Sequence, residues 1–224
     1  MTWMVIERRG VKLYKPYYQI TKRLVELLLC LVALPILLPI GVIAAIAIRL
    51  DSPGPIFFVQ ERVGKGSRFF KIIKFRTMHY NIDTNSHQTF MKEFVSGKIT
   101  NNNGNHGVFK PFKSSQITRV GRVLRKTSLD ELPQIINVLK GEMSLIGPRP
   151  NVPWEVEAYH GWHIERLEVL PGITGLAQVR GRSGITFNQI VRYDIEYIEK
   201  QSLKLDLQIL WWTFASVLFG HGAE

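Results

Sequence analysis

Between Glu26 and Arg49 the chain runs 22 residues without a charge, LLLCLVALPILLPIGVIAAIAI. An uncharged run of about 18 or more is long enough for a membrane helix; this one is too long, and starts too far along the chain, for a secretory signal core. Pro35 and Pro39 lie inside it. Each lacks the backbone donor of a helix interior and crowds the carbonyl four residues back, so a break is expected at Leu38–Pro39. Basic residues flank both ends, among them Lys15, Lys22 and Arg23 before the run and Arg49, Arg62 and Lys65 after it. The positive-inside rule places both flanks on the cytoplasmic side, which favours a segment that enters the bilayer, breaks and returns. A kinked spanning helix also accommodates the prolines, and the pattern alone leaves both readings open.

Beyond Asp51-Ser-Pro-Gly-Pro55 the pattern becomes that of a globular domain. IFFVQERVG and FFKIIKFRTM cluster β-formers around a Gly-Lys-Gly turn and predict a short hairpin. Residues 79–115 are rich in Asn, His, Lys and Gly and read as a mobile loop or insertion, with one short helix near Gln88 to Val95. From Ile117 onward a basic helical stretch, a turn, an amphipathic helix and a Gly-Pro-Arg-Pro loop follow in TRVGRVLRKTSLDELPQIINVLKGEMSLIGPRP. The tail Leu203 to Phe219 carries Trp211, Trp212 and Phe214 with few charges, which suits an interfacial helix, a dimer contact or a core-packing helix.

Composition narrows the class. With 224 residues and 46% apolar content the chain has material for one folded core. Its single cysteine, Cys30, excludes an intrachain disulfide framework or a Cys-rich zinc site. A net charge of +11 predicts a polyanionic partner: nucleic acid, anionic lipid or phosphorylated substrate. No nucleic-acid recognition motif accompanies the charge, so no nucleic-acid partner is expected. His160 and His163 form an HxxH pair without a third ligand and read as surface or packing histidines.

Asp130-Glu131 is the candidate chemistry. Thr127 or Ser128 just before it looks like a helix cap, with both carboxylates in the first turn where the dipole favours them. That placement alone is structural. However, Arg119, Arg122, Arg125 and Lys126 precede the pair, and Arg149 sits in a loop stiffened by two prolines. Carboxylates among guanidinium groups stay ionised while the same cations hold a phosphate, the composition of a phosphoryl-transfer site. Aspartate is also a competent covalent nucleophile. No P-loop, dinucleotide glycine fingerprint, HExxH or GxSxG is present.

The Pro-broken apolar segment, KFRTM at 74–78, RVGRVLRKTSLDELPQIINVLKGEMSLIGPRP at 119–150 and PGITGLAQVRGR at 171–182, in that order, resemble the bacterial sugar transferase family of monotopic polyprenyl-phosphate phosphoglycosyl transferases. The lead-in Ser115-Gln116-Ile117 departs from the Asp-Pro-Arg of many relatives. The resemblance implies an α+β, mainly helical protein. Its expected parts are an N-terminal extension over 1–20, a re-entrant membrane helix over 21–50 and a cytosolic catalytic domain over 51–224 with a β-hairpin and interfacial amphipathic helices, in a minimal catalytic form. It places the protein on the cytoplasmic leaflet of the bacterial inner membrane, and a homodimer is compatible with it.

The implied reaction moves sugar-1-phosphate from a UDP-sugar to undecaprenyl phosphate and releases UMP, as in capsule, exopolysaccharide or O-antigen assembly. Carried over by motif, Asp130 is the nucleophile and Mg²⁺ ligand, and Glu131 positions or deprotonates the lipid phosphate. Lys74, Arg76, Arg125 and Arg149 face substrate phosphates, and Gly181, Arg182 and Asp194 are nucleotide or sugar candidates. An Arg182–Asp194 structural salt bridge is the alternative for the last pair. A membrane-tethered nucleic-acid binder and a non-catalytic relative are the competing readings from other classes.

Overall fold

The computed structural model describes residues 15–80, 85–97, 114–181 and 185–218. Its first element, α1 (Pro16–Asp51), has proline at the first helical position, where no donor is needed, and ends in extended Ser52 before the Pro-Gly-Pro breaker. The helix is continuous through Pro35 and Pro39, so the break expected at Leu38–Pro39 does not interrupt it. Proline is tolerated in apolar helices because small local adjustments re-satisfy the freed carbonyls.

One face of α1 packs against the rest of the chain through Glu26, Cys30, Ala44 and Ile48, while Leu31, Val32, Ile36, Leu38, Val42, Ile43 and Ile46 are exposed. Only 11% of its most apolar window is buried. An apolar helix that hides so little from its surroundings is not a soluble core helix.

The hairpin follows as predicted. Strands β1 (Phe57–Val63) and β2 (Phe69–Phe75) pair antiparallel in the register Phe57↔Phe75 to Val63↔Phe69. The connection uses Gly66 in the left-handed region, φ 62°, where a glycine carries no Cβ penalty. After it come α2 (Asn85–Val95), α3 (Arg119–Lys126), a 3₁₀ helix at Leu129–Gln134, α4 (Ile135–Lys140) and β3 (Ser144–Ile146). The chain closes with α5 (Pro153–Val156), a 3₁₀ helix at Gly161–Glu168, β4 (Gly172–Thr174), α6 (Leu176–Gly181), α7 (Phe187–Lys200) and α8 (Leu203–Leu218). Strands β3 and β4 pair parallel, Ser144 with Gly172 and Ile146 with Thr174.

Part of the segment expected to be a mobile loop is docked. Val95 at the end of α2 is fully buried against Phe187 and Val191, because the helix carries apolar residues that the polar flanks obscure in the sequence. Residues 1–14, most of the expected N-terminal extension, lie outside the described residues, as do 81–84, 98–113 and Phe219.

Both arms of α1 belong to the core. Cys30 joins Phe70, Ile72, Val138 and Met143, while Ala44 and Ile48 join Phe75 and Leu124. Helix α8 divides its faces: Ile209 is buried with Ile146, Leu176, Tyr197 and Ile198, whereas Leu207, Trp211 and Phe214 are exposed. The core-packing reading of that tail holds for the Ile209 side, while the other side is exposed and apolar. His163 is fully buried, its Nε2 2.9 Å from Asn188 Oδ1, which makes it a packing histidine.

Candidate active site

Three segments distant in sequence build one cluster. Strand β2 presents Lys74, and α4 locks that strand: fully buried Asn137 accepts from Ile73 N (3.2 Å) and donates to Lys71 O (2.8 Å). Asp130 and Glu131 occupy the 3₁₀ helix that packs across β2. Arg149 comes from the Gly-Pro-Arg-Pro loop after β3.

The entry to the carboxylate pair is not the side-chain cap that the sequence leads one to expect. Thr127 turns back to close α3, its hydroxyl donating to Val123 O at 2.9 Å, and Ser128 makes no side-chain cap. Ser128 instead adopts the left-handed conformation, φ 56°. A non-glycine residue held there costs of order 1 kcal/mol or more and persists where surrounding structure fixes it, often at functional sites.

Lys74 Nζ lies 2.6 Å from Glu131 Oε1, and Arg149 Nη1 lies 3.5 Å from the same oxygen. Burial alone would raise the Glu131 carboxyl, but Lys74 and Arg149 outweigh it and hold it below the usual range. Asp130 goes the other way. Burial raises it, Glu131 adds to the rise, and Lys74, Arg125 and Arg149 offset only part. The two adjacent carboxylates are thus shifted in opposite directions by the same set of neighbours. Burial and Arg149 pull Lys74 down although Glu131 is its partner, so the lysine is under-compensated while the carboxylate is over-compensated. The cleft is short of negative charge.

Arg125 is oriented by KFRTM. Its Nε donates to Thr77 Oγ1 at 2.9 Å, and α3 approaches so closely that a Cβ on Gly121 would run into the Thr77 carbonyl. Thr118 caps α3, accepting from Gly121 N at 2.9 Å. The glycine of TRVG therefore sets the distance between α3 and the strand end.

Other expected site residues fall elsewhere. Arg76 is buried and turned away from the carboxylates: its Nη2 donates to Ser52 O (2.7 Å) and Ser52 Oγ (2.8 Å), pinning the end of α1. Strict alternation would put it beside Lys74, but β2 ends at Phe75 and the chain turns. Gly181 is buried against Ile185, where it makes room for packing. Arg182 lies outside the described residues. Asp194 is buried on α7 and paired with Arg166 at 2.6 Å, not displayed in a cleft. Arg166 also holds the loop of the site, donating to Asn151 Oδ1 (2.7 Å) and Arg149 O (3.1 Å).

Sequence reasoning missed Arg62, Gln134 and Pro150, which line the cleft with Lys74, Glu131 and Arg149. Only the position of Gln134, three residues after Glu131 on the same short helix, carried a signal.

No group of three His, Cys, Asp or Glu side chains able to hold a metal occurs among the described residues. Glu131 is engaged by two cations, which leaves Asp130 as the carboxylate for an ion. That fits Mg²⁺, which commonly takes one or two carboxylates and completes its shell with water and substrate phosphates.

The family model for bacterial sugar transferases matches residues 17–220. The chain belongs to that family. A galactosyl transferase, CpsE, of Streptococcus agalactiae is 38% identical over 216 residues, covering 96% of this chain and 46% of its own length. A UDP-glucose:undecaprenyl-phosphate glucose-1-phosphate transferase of Caulobacter vibrioides is 36% identical over 225 residues, 97% of this chain and 77% of the relative. The exopolysaccharide production protein ExoY of Sinorhizobium fredii is 35% identical over 209 residues, 93% of this chain and 90% of the relative. The bacterial sugar transferase chain thus spans less than half of the streptococcal relative and most of the other two.

Proposed function

We propose that this chain is a membrane-associated phosphoglycosyl transferase that moves sugar-1-phosphate from a UDP-sugar to undecaprenyl phosphate, the first membrane step of polysaccharide or glycoconjugate assembly. The observation that carries the reading is the convergence of Lys74, Arg125 and Arg149 on the Asp130–Glu131 pair. Phosphoryl transfer needs little more from a protein than positioning and charge neutralisation, and this cluster supplies both.

In the first step an Asp130 carboxylate oxygen attacks the β-phosphorus of the donor. The bond from that phosphorus to the bridging oxygen breaks, UMP leaves with the electron pair, and an aspartyl phosphosugar remains. In the second step a phosphate oxygen of the lipid attacks the same phosphorus, releasing Asp130 and forming the lipid diphosphate sugar. Glu131, kept ionised by Lys74 and Arg149, is suited to orient the incoming phosphate and to take any proton it still carries. Arg125 and Arg149 hold the charge that develops on the phosphoryl oxygens. Asp130 would hold a Mg²⁺ ion, which would supply further charge neutralisation when bound.

In this reading α1 enters one leaflet and returns, bending at Pro35 and Pro39 without a break in its helical run, and the catalytic domain lies on the cytoplasmic face. Both ends of α1 are held by one domain: Lys15 donates to Gln201 O at 3.1 Å, and Ser52 at the other end accepts from Arg76. A crossing of about 30 Å of hydrocarbon would carry one of those ends to the opposite side.

Intact-protein mass after incubation with single UDP-sugars and Mg²⁺, without acceptor, tests the mechanism. A sugar-phosphate increment on the wild type and none on Asp130→Asn is the expected result. UMP release on adding undecaprenyl phosphate, equally strong in the variant, would overturn the covalent step.

A further inference from the structure

The cleft beside Glu131 holds more hydrogen-bond donors than the protein can satisfy. Gln134 is 2% exposed, yet its Nε2 has no hydrogen-bond partner. It lies on the Glu131 side and helps keep that carboxylate ionised without closing a well-formed hydrogen bond to it. Arg62, on β1, donates through Nη1 to Pro150 O (3.0 Å) and through Nη2 to Gln60 Oε1 (2.6 Å), while its buried Nε is unpartnered. Both residues line the same cleft as Lys74, Glu131 and Arg149.

Buried donors without partners are rare in folded proteins, and each unsatisfied one costs about 1–3 kcal/mol. Here two occur in one cleft, beside two further cations, Lys74 and Arg149, and one carboxylate, Glu131. Burial chiefly, and the neighbouring Arg149 in second place, push the Arg62 guanidinium down to about 10. An acceptor-only, multiply charged group would satisfy both orphan N–H groups and relieve the repulsion between Arg62 and Arg149. A phosphate group has those properties and matches a guanidinium in geometry.

We infer that Arg62 and Gln134 are phosphate-binding residues of this site, donating from Nε and Nε2 to oxygens of one substrate phosphate in the cleft they line with Lys74, Glu131 and Arg149. The inference rests on the transferase reading for the identity of the substrates, since both donor and acceptor carry phosphate. It separates this wall from Arg76, which the hairpin turns to the membrane helix.

Calorimetric titration of the full chain in detergent tests it with two probes: inorganic pyrophosphate, standing for the donor diphosphate, and farnesyl phosphate, standing for the acceptor. Gln134→Met keeps the size and removes the donor; Arg62→Lys keeps the charge and removes Nε. Each is expected to weaken one probe about tenfold or more, the loss of one hydrogen bond to a charged group, with the melting temperature near that of the wild type. Arg192→Gln, on the distant face of α7, is expected to bind as the wild type does. Loss confined to pyrophosphate assigns the wall to the donor, and loss confined to farnesyl phosphate assigns it to the acceptor.

Wild-type affinity for both probes in both variants overturns the inference, as does failure of the wild type to bind either probe. Should Gln134→Met not fold, Gln134→Glu puts a carboxylate at the same place and is expected to abolish binding of the affected probe; undiminished binding there also overturns it. Turnover with UDP-sugar and lipid phosphate is scored separately. Binding that depends on Arg62 and Gln134 without turnover on any donor sinks the transferase reading alone. Turnover with variants that bind normally sinks the inference alone.

Discussion

Asp194→Asn separates a structural aspartate from a substrate-contacting one. Arg166 and Asp194 have side chains only 2% and 1% exposed, and Nη2 stands 2.6 Å from Oδ2, a close ionic contact off the ideal hydrogen-bond angle. Two considerations pull in opposite directions. Burial pushes the Asp194 carboxyl up to about 6, which by itself says that a neutral side chain would sit there at less cost. The guanidinium decides the outcome, because arginine cannot shed its proton to escape burial. With asparagine at 194, Arg166 keeps its bonds to Asn151, Tyr159 and the Arg149 carbonyl but loses its nearest counter-charge.

Removing one partner of a buried pair typically costs about 3–5 kcal/mol. For a chain of this size each kcal/mol lowers the melting temperature by about 2–4 °C, so a fall of roughly 6–20 °C is expected. Thermal unfolding of the detergent-held protein, followed by intrinsic fluorescence at pH 7.5, measures it. The double variant Arg166→Met, Asp194→Leu is expected to recover most of the stability, since apolar replacement of a buried pair is often neutral. Its activity should stay low, because the Arg149 carbonyl has lost its donor. A melting temperature for Asp194→Asn within about 2 °C of wild type, together with a raised KM for the UDP-sugar, would refute the structural assignment and return Asp194 to the substrate site.

Three other outcomes follow from the site. Asp130→Asn should lower turnover by about 10³-fold or more, read as UMP release, because removing the proposed nucleophile would leave only binding and electrostatics. Lys74→Met removes the main cation that holds Glu131 below the usual carboxylate range, so the Glu131 carboxyl rises. Lys74 also lowers the Asp130 carboxyl, which burial raises, so the acidic limb of the pH–rate profile should move to higher pH, and an unmoved limb would show that ionisation of neither carboxylate governs turnover. Gly121→Ala drives a Cβ into the Thr77 carbonyl and should cost about 1–3 kcal/mol of overpacking, with a lower melting temperature and reduced activity as Arg125 shifts.

Sequence reading succeeded where the signal is local. The uncharged run forms one long apolar helix without the break expected at Leu38–Pro39. The hairpin turning at Gly-Lys-Gly and the basic helix before Asp130-Glu131 stand as expected, each signal being contained in a few consecutive residues. Failures occurred where a partner lies far away. Asp194 was weighed against Arg182, its neighbour in the motif, whereas the fold pairs it with Arg166 from the Gly161–Glu168 helix. Arg76 shares the KFRTM motif with Lys74, but the strand stops one residue before it and its guanidinium turns to Ser52. Nothing in the sequence marks Asn137 as the clamp on β2 or Arg62 as a wall of the cleft, because both act through contacts across more than 60 residues of chain.

The anchor and the site are not independent parts. Lys22 of α1 donates to Tyr197 Oη (3.0 Å) and Ile146 O (3.1 Å) and forms ion pairs with Asp206 (3.1 Å) and Glu26 (3.2 Å). Glu26 in turn accepts from Ser144 Oγ (2.5 Å) and Leu145 N (3.1 Å), and Tyr18 donates to Asp206 at 2.8 Å. Ser144, Leu145 and Ile146 are β3, which leads directly into the Gly147–Pro150 loop that carries Arg149. A helix whose exposed face is apolar is thereby fixed through a mostly buried polar network to the strand that leads to Arg149, the arginine beside Glu131. Such networks are costly unless fully paired and specific when they are, so they resist sliding of α1 against the domain. In the proposed reaction the acceptor phosphate sits at the end of a chain dissolved in the bilayer, and its depth is set by the membrane. Binding that phosphate requires the cation cluster to be held at a fixed height above the same surface, which a rigid connection from α1 to β3 provides and a flexible tether would not.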